Sequence, residues 1–477
     1  HTISLGGQTL AYTARAGTLP IRDNETGEVH ANVFFVAYSV DPADGEPKRP
    51  VMFVWNGGPG SNAGLLHMTA MGPRRLVMGD VYATADPDDM SALVDNEATW
   101  LGATDLVFVD PVGTGYSRPT RTEYGPEFYD NVGDVESLAE FIRVYRTRFD
   151  AWNAPLILAG ESYGSLRAAA VARSLQGRGI DVAGIVFISG SPGLGSVPAH
   201  LGPPLLLPSQ TATALYHGKL SPESQSNAER TLTEVREWAL GAYADALTHM
   251  GDLSGPERTA IREELQRFTG LPAQSIADDE LAVSGPVFSE QLLIAEGRVL
   301  GRYDARLARS RKADESMFDP REDASLAPLE NKVTGNAPTM VRYLRSTLGY
   351  ESDLYYIGPF GGGWPSNDRF RGDWMTVRWN RSEAPEAPLR DVLAANPSLR
   401  VLHASGAYDL VTPAGPPAHM IEGLEPELRD RFTVRVYEGG HSFYLDRASR
   451  LQFMQDGAVL IERAAEAART RARARPE

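Results

Sequence analysis

Short runs of consecutive apolar residues recur in the first half of the chain, and they constrain the fold more strongly than any other feature. Each run has the length of a β-strand and is bounded by turn residues. Because several runs are apolar at consecutive rather than alternate positions, we expect strands that are buried on both faces of a sheet. These runs are residues 33–40, 51–55, 106–109, 156–159 and 185–188.

Helical patterns separate some of these runs, and strand-like runs return late in the chain. This alternation predicts an α/β sheet. The predicted helices around the sheet are residues 129–148, 165–175, 388–395 and 448–473, and the late strands are residues 399–403 and 432–437.

The middle of the chain has a different character. Residues 222–250 and 256–268 have helical patterns, whereas glycine, proline and charge dominate residues 285–384, with few clear elements. We therefore predict a sheet domain in two parts, interrupted by a largely helical cap insertion. The predicted bounds are 1–192 and 385–477 for the sheet domain and 193–384 for the insertion.

Composition excludes several classes of protein and of chemistry. The formal net charge of −16 argues against nucleic acid as a partner, because phosphate contacts need a basic face. No run of about 18 apolar residues is present, so we expect no membrane-spanning segment. The absence of cysteine excludes disulfides and thiolate chemistry. We expect neither a metal nor a cofactor, and the sequence leaves the oligomeric state open.

The cellular location has one indication in the sequence. The first residue is His1 rather than Met, which either a cleaved signal peptide or a trimmed chain would explain. We expect a periplasmic or secreted protein, and a cytoplasmic location stays open.

Ser162 lies in a G-x-S-x-G pentapeptide, Gly160–Gly164, between a strand-like run and a helical pattern. A serine on such a sharp turn has a strained backbone, and a Cβ on either flank would clash. With 46 glycines in the chain, the pentapeptide alone can arise by chance. Its position between strand and helix favours Ser162 as a nucleophile.

A serine nucleophile on this kind of turn is followed in the chain by an acid and then a histidine. Asp409 follows the predicted strand 399–403, and His441 follows the predicted strand 432–437. Ligands meet an open α/β sheet at such strand ends. We predict attack by Ser162, proton transfer by His441 and orientation of His441 by Asp409. A helix cap at Asp409 and a solvent-exposed turn at His441 are the alternatives.

The same segments resemble the serine carboxypeptidases, a peptidase family with an α/β-hydrolase fold. The similar segments are N-G-G-P-G-S at 56–61 with G-P at 72–73, D-P-V-G-T-G-Y-S at 110–117, G-E-S-Y-G at 160–164, and the segments around Asp409 and His441. The resemblance implies a mostly parallel central sheet flanked by helices, with a helical cap insertion. It also implies release of C-terminal amino acids through a Ser-His-Asp triad and an acyl-enzyme.

The resemblance assigns further roles by position. The backbone N–H groups of Gly58 and Tyr163 would form the oxyanion hole. Asn56 and Glu161, with the Gly57 N–H, would bind the terminal carboxylate of the substrate. A glutamate can face a carboxylate only when it is protonated, since two buried anions repel each other, so acid-favoured peptidase activity is expected. The alternative for Glu161 is a buried, hydrogen-bonded structural acid.

This chain also departs from the family pattern. Ala70 stands where many eukaryotic members have a second glutamate, and Ser442 stands where a methionine usually follows the catalytic histidine. These departures leave the pH dependence and the pocket for the leaving residue open. Together with Ser61 in place of a cysteine, and with His67, they point to the bacterial branch of the family.

Three functions remain to be compared. The carboxylate-binding pair Asn56 and Glu161 favours a carboxypeptidase acting on peptides with a free C-terminus over an esterase or acyltransferase on the same scaffold. A catalytically inactive binding module is disfavoured because all three triad residues are present. The glycine-rich residues 56–60 could also be read as a phosphate-binding loop, but they lack the Gly-Lys-Ser/Thr ending of such a loop, so this alternative is disfavoured.

Overall fold

A computed structural model of the chain describes residues 1–41, 45–76, 93–277, 280–312, 323–326, 338–358 and 387–474. Within these ranges the main sheet has nine strands, and three two-stranded sheets accompany it. The strands are β1 Thr2–Leu5, β2 Gln8–Ala11, β3 Thr13–Arg22, β4 Val29–Ser39, β5 Val51–Trp55, β6 Arg74–Leu76, β7 Leu93–Asp95, β8 Asp105–Val109, β9 Arg118–Pro119, β10 Leu156–Glu161, β11 Gly184–Ile188, β12 Arg298–Leu300, β13 Ala308–Ser310, β14 Arg400–Gly406 and β15 Phe432–Tyr437.

The main sheet is mostly parallel, as predicted. Its order is β15-β14-β11-β10-β5-β8-β4-β3, with β9 paired to β4. Strands β8, β5, β10, β11, β14 and β15 pair in parallel, whereas β3 and β4 form an antiparallel end. The strand runs predicted from the sequence all lie in this sheet, and both parts of the predicted sheet domain contribute to it.

Helices surround the sheet and connect its strands. The α-helices in the described residues are α1 Asn131–Arg148, α2 Tyr163–Gly177, α3 Gly202–Tyr216, α4 Pro222–Ser226, α5 Ala228–Trp238, α6 Ala244–Thr248, α7 Gly255–Thr269, α8 Gly285–Gln291, α9 Pro338–Arg342, α10 Pro388–Ala395, α11 Gly415–Glu422, α12 Pro426–Arg429 and α13 Arg447–Ala474. Among these residues, no helix has the length and apolarity needed to cross a lipid bilayer.

Apolar cores on both faces of the sheet explain the consecutive apolar runs. In β5, Phe53 and Trp55 belong to the core that contains side chains of α1, α2 and α10. Met52 and Val54 point to the opposite core, which contains Phe453 of α13. Because successive side chains of a strand point to opposite faces, every position of β5 is buried.

Helices α3, α5, α6, α7 and α8 contribute side chains to a third apolar core. The helical pattern predicted over 222–250 is divided by non-helical backbone at Asn227 and by a kink at Gly241. Much of the predicted glycine- and proline-rich stretch lies outside the described residues, namely residues 313–322, 327–337 and 359–386. The predicted domain bound at 384–385 lies within the last of these ranges. The domain bounds therefore stay a prediction.

Candidate active site

The predicted site residues lie just beyond the carboxyl ends of parallel strands. Asn56 follows β5, Ser162 follows β10, Asp409 follows β14 and His441 follows β15. These strands run in the same direction in one sheet, so their carboxyl ends share one edge. This edge is where open α/β sheets bind ligands.

Ser162 lies on a strained turn between β10 and α2. Its backbone has φ 59° and ψ −126°, a conformation that non-glycine residues rarely adopt. Its amide donates to the carbonyl of Ile188 at 2.8 Å. A Cβ on Gly160 would lie 2.0 Å from the carbonyl oxygen of Gly164, and one on Gly190 would lie 2.3 Å from that of Ser162. The tight turn therefore requires the glycines around it.

Asp409 and His441 form a buried pair. The imidazole Nδ1 lies 2.7 Å from Oδ2 of Asp409, whose side chain is 0% exposed. The other carboxylate oxygen accepts the amides of Val411 at 2.8 Å and Thr412 at 2.9 Å. Burial lowers the pKa of His441, but the charge of Asp409, its hydrogen bond and the charge of Glu161 together raise this pKa by more, so the net shift is upward.

The loop that carries His441 is fixed through its backbone. The amide of His441 donates to the carbonyl of Tyr303 at 2.5 Å, and its carbonyl accepts the hydroxyl of Ser189 at 2.6 Å. The Tyr303 ring meets the imidazole edge-on, with 5.3 Å between ring centroids. The hydroxyl of Thr412 donates to Asp409 at 2.6 Å and lies 3.0 Å from the imidazole Nδ1. These contacts hold the imidazole in one orientation.

The nucleophile turn and the histidine loop are in direct contact. Ser442, which follows His441, donates its hydroxyl to Oε1 of Glu161 at 3.1 Å. Glu161 immediately precedes Ser162. The structure therefore brings together the two chain segments on which the predicted nucleophile and base lie.

Glu161 is buried beside Asn56. The exposed fractions are 2% for Glu161 and 3% for Asn56, and the amide of Asn56 donates to Oε2 of Glu161. The amide oxygen of Asn56 accepts the N–H of Leu66 at 3.1 Å, and the hydroxyl of Tyr444 donates to Oε1 of Glu161 at 2.6 Å. Burial raises the pKa of Glu161, although the charge of His441 and these hydrogen bonds oppose the rise.

The glycine-rich loop after β5 packs against the nucleophile turn. A Cβ on Gly57 would lie 2.5 Å from the carbonyl oxygen of Glu161 and 2.7 Å from the amide nitrogen of Tyr163. Gly58 has φ +100°, which favours glycine because a side chain would be strained there. The predicted oxyanion donors, Gly58 and Tyr163, thus lie on two segments in contact.

A buried ion pair between Arg167 and Asp134 contacts both the glycine-rich loop and the start of α2. Arg167 of α2 donates from Nε to Asp134 at 2.6 Å and from Nη1 to the carbonyl of Asn56 at 2.7 Å. The hydroxyl of Tyr163 lies 3.0 Å from Asn131 Oδ1 and 3.2 Å from Asp134 Oδ2. The guanidinium also lies 4.8 Å from the centre of the Tyr163 ring. This network ties α1, α2 and the loop after β5 together.

Several of these supporting residues were missed by the sequence analysis. Arg167 had a signal, since it is a charged residue in an otherwise Ala-rich helical pattern next to the nucleophile. Tyr444 lies just after His441 in the chain, but nothing local points to its bond with Glu161, which is distant in sequence. Ser189 and Tyr303 gave no local signal, because their partner His441 is distant in sequence. Thr412 is close to Asp409 in the chain, but its contact with His441 joins distant segments.

Among the other histidines, His403 is a buried residue of β14. Its Nε2 bonds to the carbonyl of Gly190 at 2.8 Å, and burial lowers its pKa to about 4. Ala70, which stands where many eukaryotic members of the family have a second glutamate, is also buried.

Comparison with known proteins identifies the first part of the chain. The family model of serine carboxypeptidases matches residues 8–177, which include Asn56, Glu161 and Ser162. Residues 8–177 are therefore similar to the serine carboxypeptidases. The predicted resemblance is thereby confirmed over this segment, whereas Asp409 and His441 lie beyond it.

Curated relatives match a similar part of the chain. The pheromone-processing carboxypeptidase KEX1 of Saccharomyces cerevisiae is 28% identical over 159 residues, which are 31% of this chain and 20% of the relative. The KEX1 of Komagataella phaffii is 29% identical over 158 residues, which are 33% of this chain and 22% of that relative. The matched segment thus spans about a fifth of these relatives.

A solved structure extends the likeness in fold. The crystal structure of KEX1 from Saccharomyces cerevisiae, a prohormone-processing carboxypeptidase, has a TM-score of 0.55 at 17% identity. The alignment covers 94% of this chain and 91% of the other. The fold of this chain is therefore the α/β-hydrolase fold predicted from the sequence, with its mostly parallel sheet and flanking helices.

Proposed function

We propose that this chain is a serine carboxypeptidase that releases C-terminal amino acids from peptides through an acyl-enzyme. The observation that carries this proposal is the buried pair of Asn56 and Glu161 directly beside Ser162. Such a pair can bind a terminal carboxylate, with an amide donor and a protonated carboxyl group. An esterase or acyltransferase with the same triad would have no use for it.

In the proposed reaction, Ser162 Oγ attacks the last peptide carbonyl while His441 Nε2 takes the hydroxyl proton. Nδ1 of the imidazole is held by Asp409 at 2.7 Å, so Nε2 is the nitrogen left for this transfer. The N–H groups of Gly58 and Tyr163 stabilise the oxyanion. His441 then gives the proton to the amine as the C–N bond breaks. A water, deprotonated by His441, hydrolyses the acyl-enzyme and restores Ser162.

The terminal carboxylate of the substrate would lie against Asn56 and Glu161. A buried glutamate can donate to that carboxylate only in its protonated form. Burial supports this form because it raises the pKa of Glu161. As the pH rises through this pKa, the ionised side chain repels the substrate carboxylate. Peptidase activity should therefore decline on the alkaline side.

The experiment that tests the proposal compares two substrates that differ only at the C-terminus. One is an N-blocked dipeptide with a free carboxylate, and the other is its methylamide. Blocking the carboxylate removes the hydrogen bonds that it would make to Asn56 and Glu161, at a cost of about 1–3 kcal/mol each. We expect kcat/KM for the free acid to exceed that for the methylamide by roughly one to four orders of magnitude. Equal rates would overturn the proposal and favour the esterase or acyltransferase.

A further inference from the structure

Two hydroxyl groups hold Glu161 and have no part in the reaction proposed above. Tyr444 donates to Oε1 at 2.6 Å and Ser442 donates to the same oxygen at 3.1 Å, whereas Asn56 binds Oε2. Tyr444 is 0% exposed and Glu161 is 2% exposed. Water therefore does not compete for the hydrogen bond between them.

These hydroxyl groups act on the charge of Glu161. A hydroxyl that donates to a carboxylate favours the ionised form, whereas burial favours the protonated form. The titratable groups that act on Glu161 are His441, whose positive charge favours the carboxylate, and Tyr444. Asn56 and Ser442 face it as neutral donors. The hydroxyl of Tyr444 thus limits how far burial can keep Glu161 protonated.

We propose that Tyr444 is a positioning residue for the substrate carboxylate. Its hydroxyl fixes Oε1 of Glu161, leaves Oε2 beside Asn56 for the substrate, and sets the pH above which a free terminal carboxylate is no longer accepted. This inference rests on the proposed carboxypeptidase function. It adds a residue that neither touches the substrate nor belongs to the triad, yet determines the working pH range.

The expected effect of a variant follows from the direction of the hydrogen bond. Tyr444→Phe removes a donor to the ionised form, so Glu161 stays protonated to higher pH. The alkaline decline of kcat/KM on the free-acid dipeptide should move up by about one to two pH units. Ser442→Ala should move it in the same direction by less, because its hydrogen bond is longer, at 3.1 Å. Glu161→Gln, which cannot ionise, should abolish the decline.

Tyr437 provides a matched control. It is a buried tyrosine of β15 whose ring stacks on Phe443, with 4.6 Å between ring centroids. Its hydroxyl donates to a different carboxylate, Asp456, at 2.8 Å. Tyr437→Phe therefore removes the same atom from a neighbouring buried ring without touching Glu161. Its pH profile should coincide with that of the wild type.

The experiment measures kcat/KM against pH for the wild type and these variants, on the free-acid dipeptide and on its methyl ester. A shift in Tyr444→Phe and Ser442→Ala that is confined to the free acid supports the proposal. An unmoved decline in both variants overturns it, as does an equal shift in Tyr437→Phe or on the ester. Equal wild-type rates on the free acid and the methylamide overturn the carboxypeptidase function itself, whatever the variants show.

Discussion

Ser162 combines a strained backbone with a hydroxyl whose role in the proposed reaction is nucleophilic attack. Ser162→Ala removes that hydroxyl and leaves in place the turn, its flanking glycines and the hydrogen bond from the Ser162 amide to the carbonyl of Ile188. We expect kcat/KM to fall by at least about three orders of magnitude, and covalent labelling by an organophosphorus fluoride to disappear. Mass spectrometry of the treated protein measures the labelling directly.

A second serine, in the first turn of α2, serves as the control. Ser165 is 0% exposed, and its hydroxyl donates to the carbonyl of Gly160 at 2.9 Å. Ser165→Ala should lower stability yet keep the label. Labelling of Ser162→Ala at the wild-type stoichiometry would show that another residue is the nucleophile.

Residues with a local signature could be predicted from the sequence, and residues defined by distant partners could not. Ser162 has its pentapeptide, and Asp409 and His441 follow strand-like runs in the required order. Tyr444 has no such signature, because its partner Glu161 belongs to a different strand end. Its role depends on how β10 and β15 are arranged in the sheet, which a single sequence does not specify.

At the scale of elements, the ion pair between α1 and α2 fixes the nucleophile turn. Arg167 and Asp134 have side chains that are 1% and 5% exposed. Arg167→Ala leaves the Asp134 carboxylate buried without its partner, so the free energy of unfolding should fall by about 3–5 kcal/mol. Chemical denaturation measures the change.

An exposed arginine of the same helix provides the comparison. Arg173 pairs with Asp391 at 2.7 Å, with side chains that are 45% and 54% exposed. Because water screens this pair, Arg173→Ala should cost at most about 1 kcal/mol. Similar losses for the two variants would contradict a supporting role for the buried pair.

The strands were more predictable than the helices outside the sheet. The bounds predicted for β5 and β15 coincide with those observed, because both are short runs of mostly β-branched and aromatic residues. Helix α3 gave no helical signal, since it contains several prolines, including Pro208 in its interior. Strand β3 was also missed, because Gly17 and Pro20 lie within it and both residue types are depleted in strands.

At the scale of the whole molecule, the main sheet is formed by pairing between strands that are far apart in the chain. Parallel pairing of β11 with β14 places Phe187 opposite His403 and joins the two parts of the predicted sheet domain. Hydrophobic patterns predict the strands but carry no information about which strands are neighbours. The family resemblance implied a mostly parallel sheet, but the order of its strands was not predicted and is given by the structure.

His403 makes global stability sensitive to acid, since it is buried in β14 between β11 and β15. Burial lowers its pKa to about 4, whereas an unfolded chain protonates histidine near pH 6.5. Below that pH the unfolded state takes up a proton that the folded state excludes until about pH 4. The stability contributed by the neutral imidazole is thus present above pH 6.5 and declines by about 1.4 kcal/mol per pH unit as the pH falls toward 4.

His403→Gln keeps a donor for the carbonyl of Gly190 but removes this titration. We expect the variant to be less stable than the wild type at neutral pH, and the difference in unfolding free energy to shrink as the pH falls from 6.5 to 4. Phe187→Leu, on the neighbouring strand, changes packing without removing a titratable group, so its difference from the wild type should stay constant with pH. Denaturant titrations at several pH values measure both differences. A pH-independent difference for His403→Gln would show that His403 is not the source of the acid sensitivity.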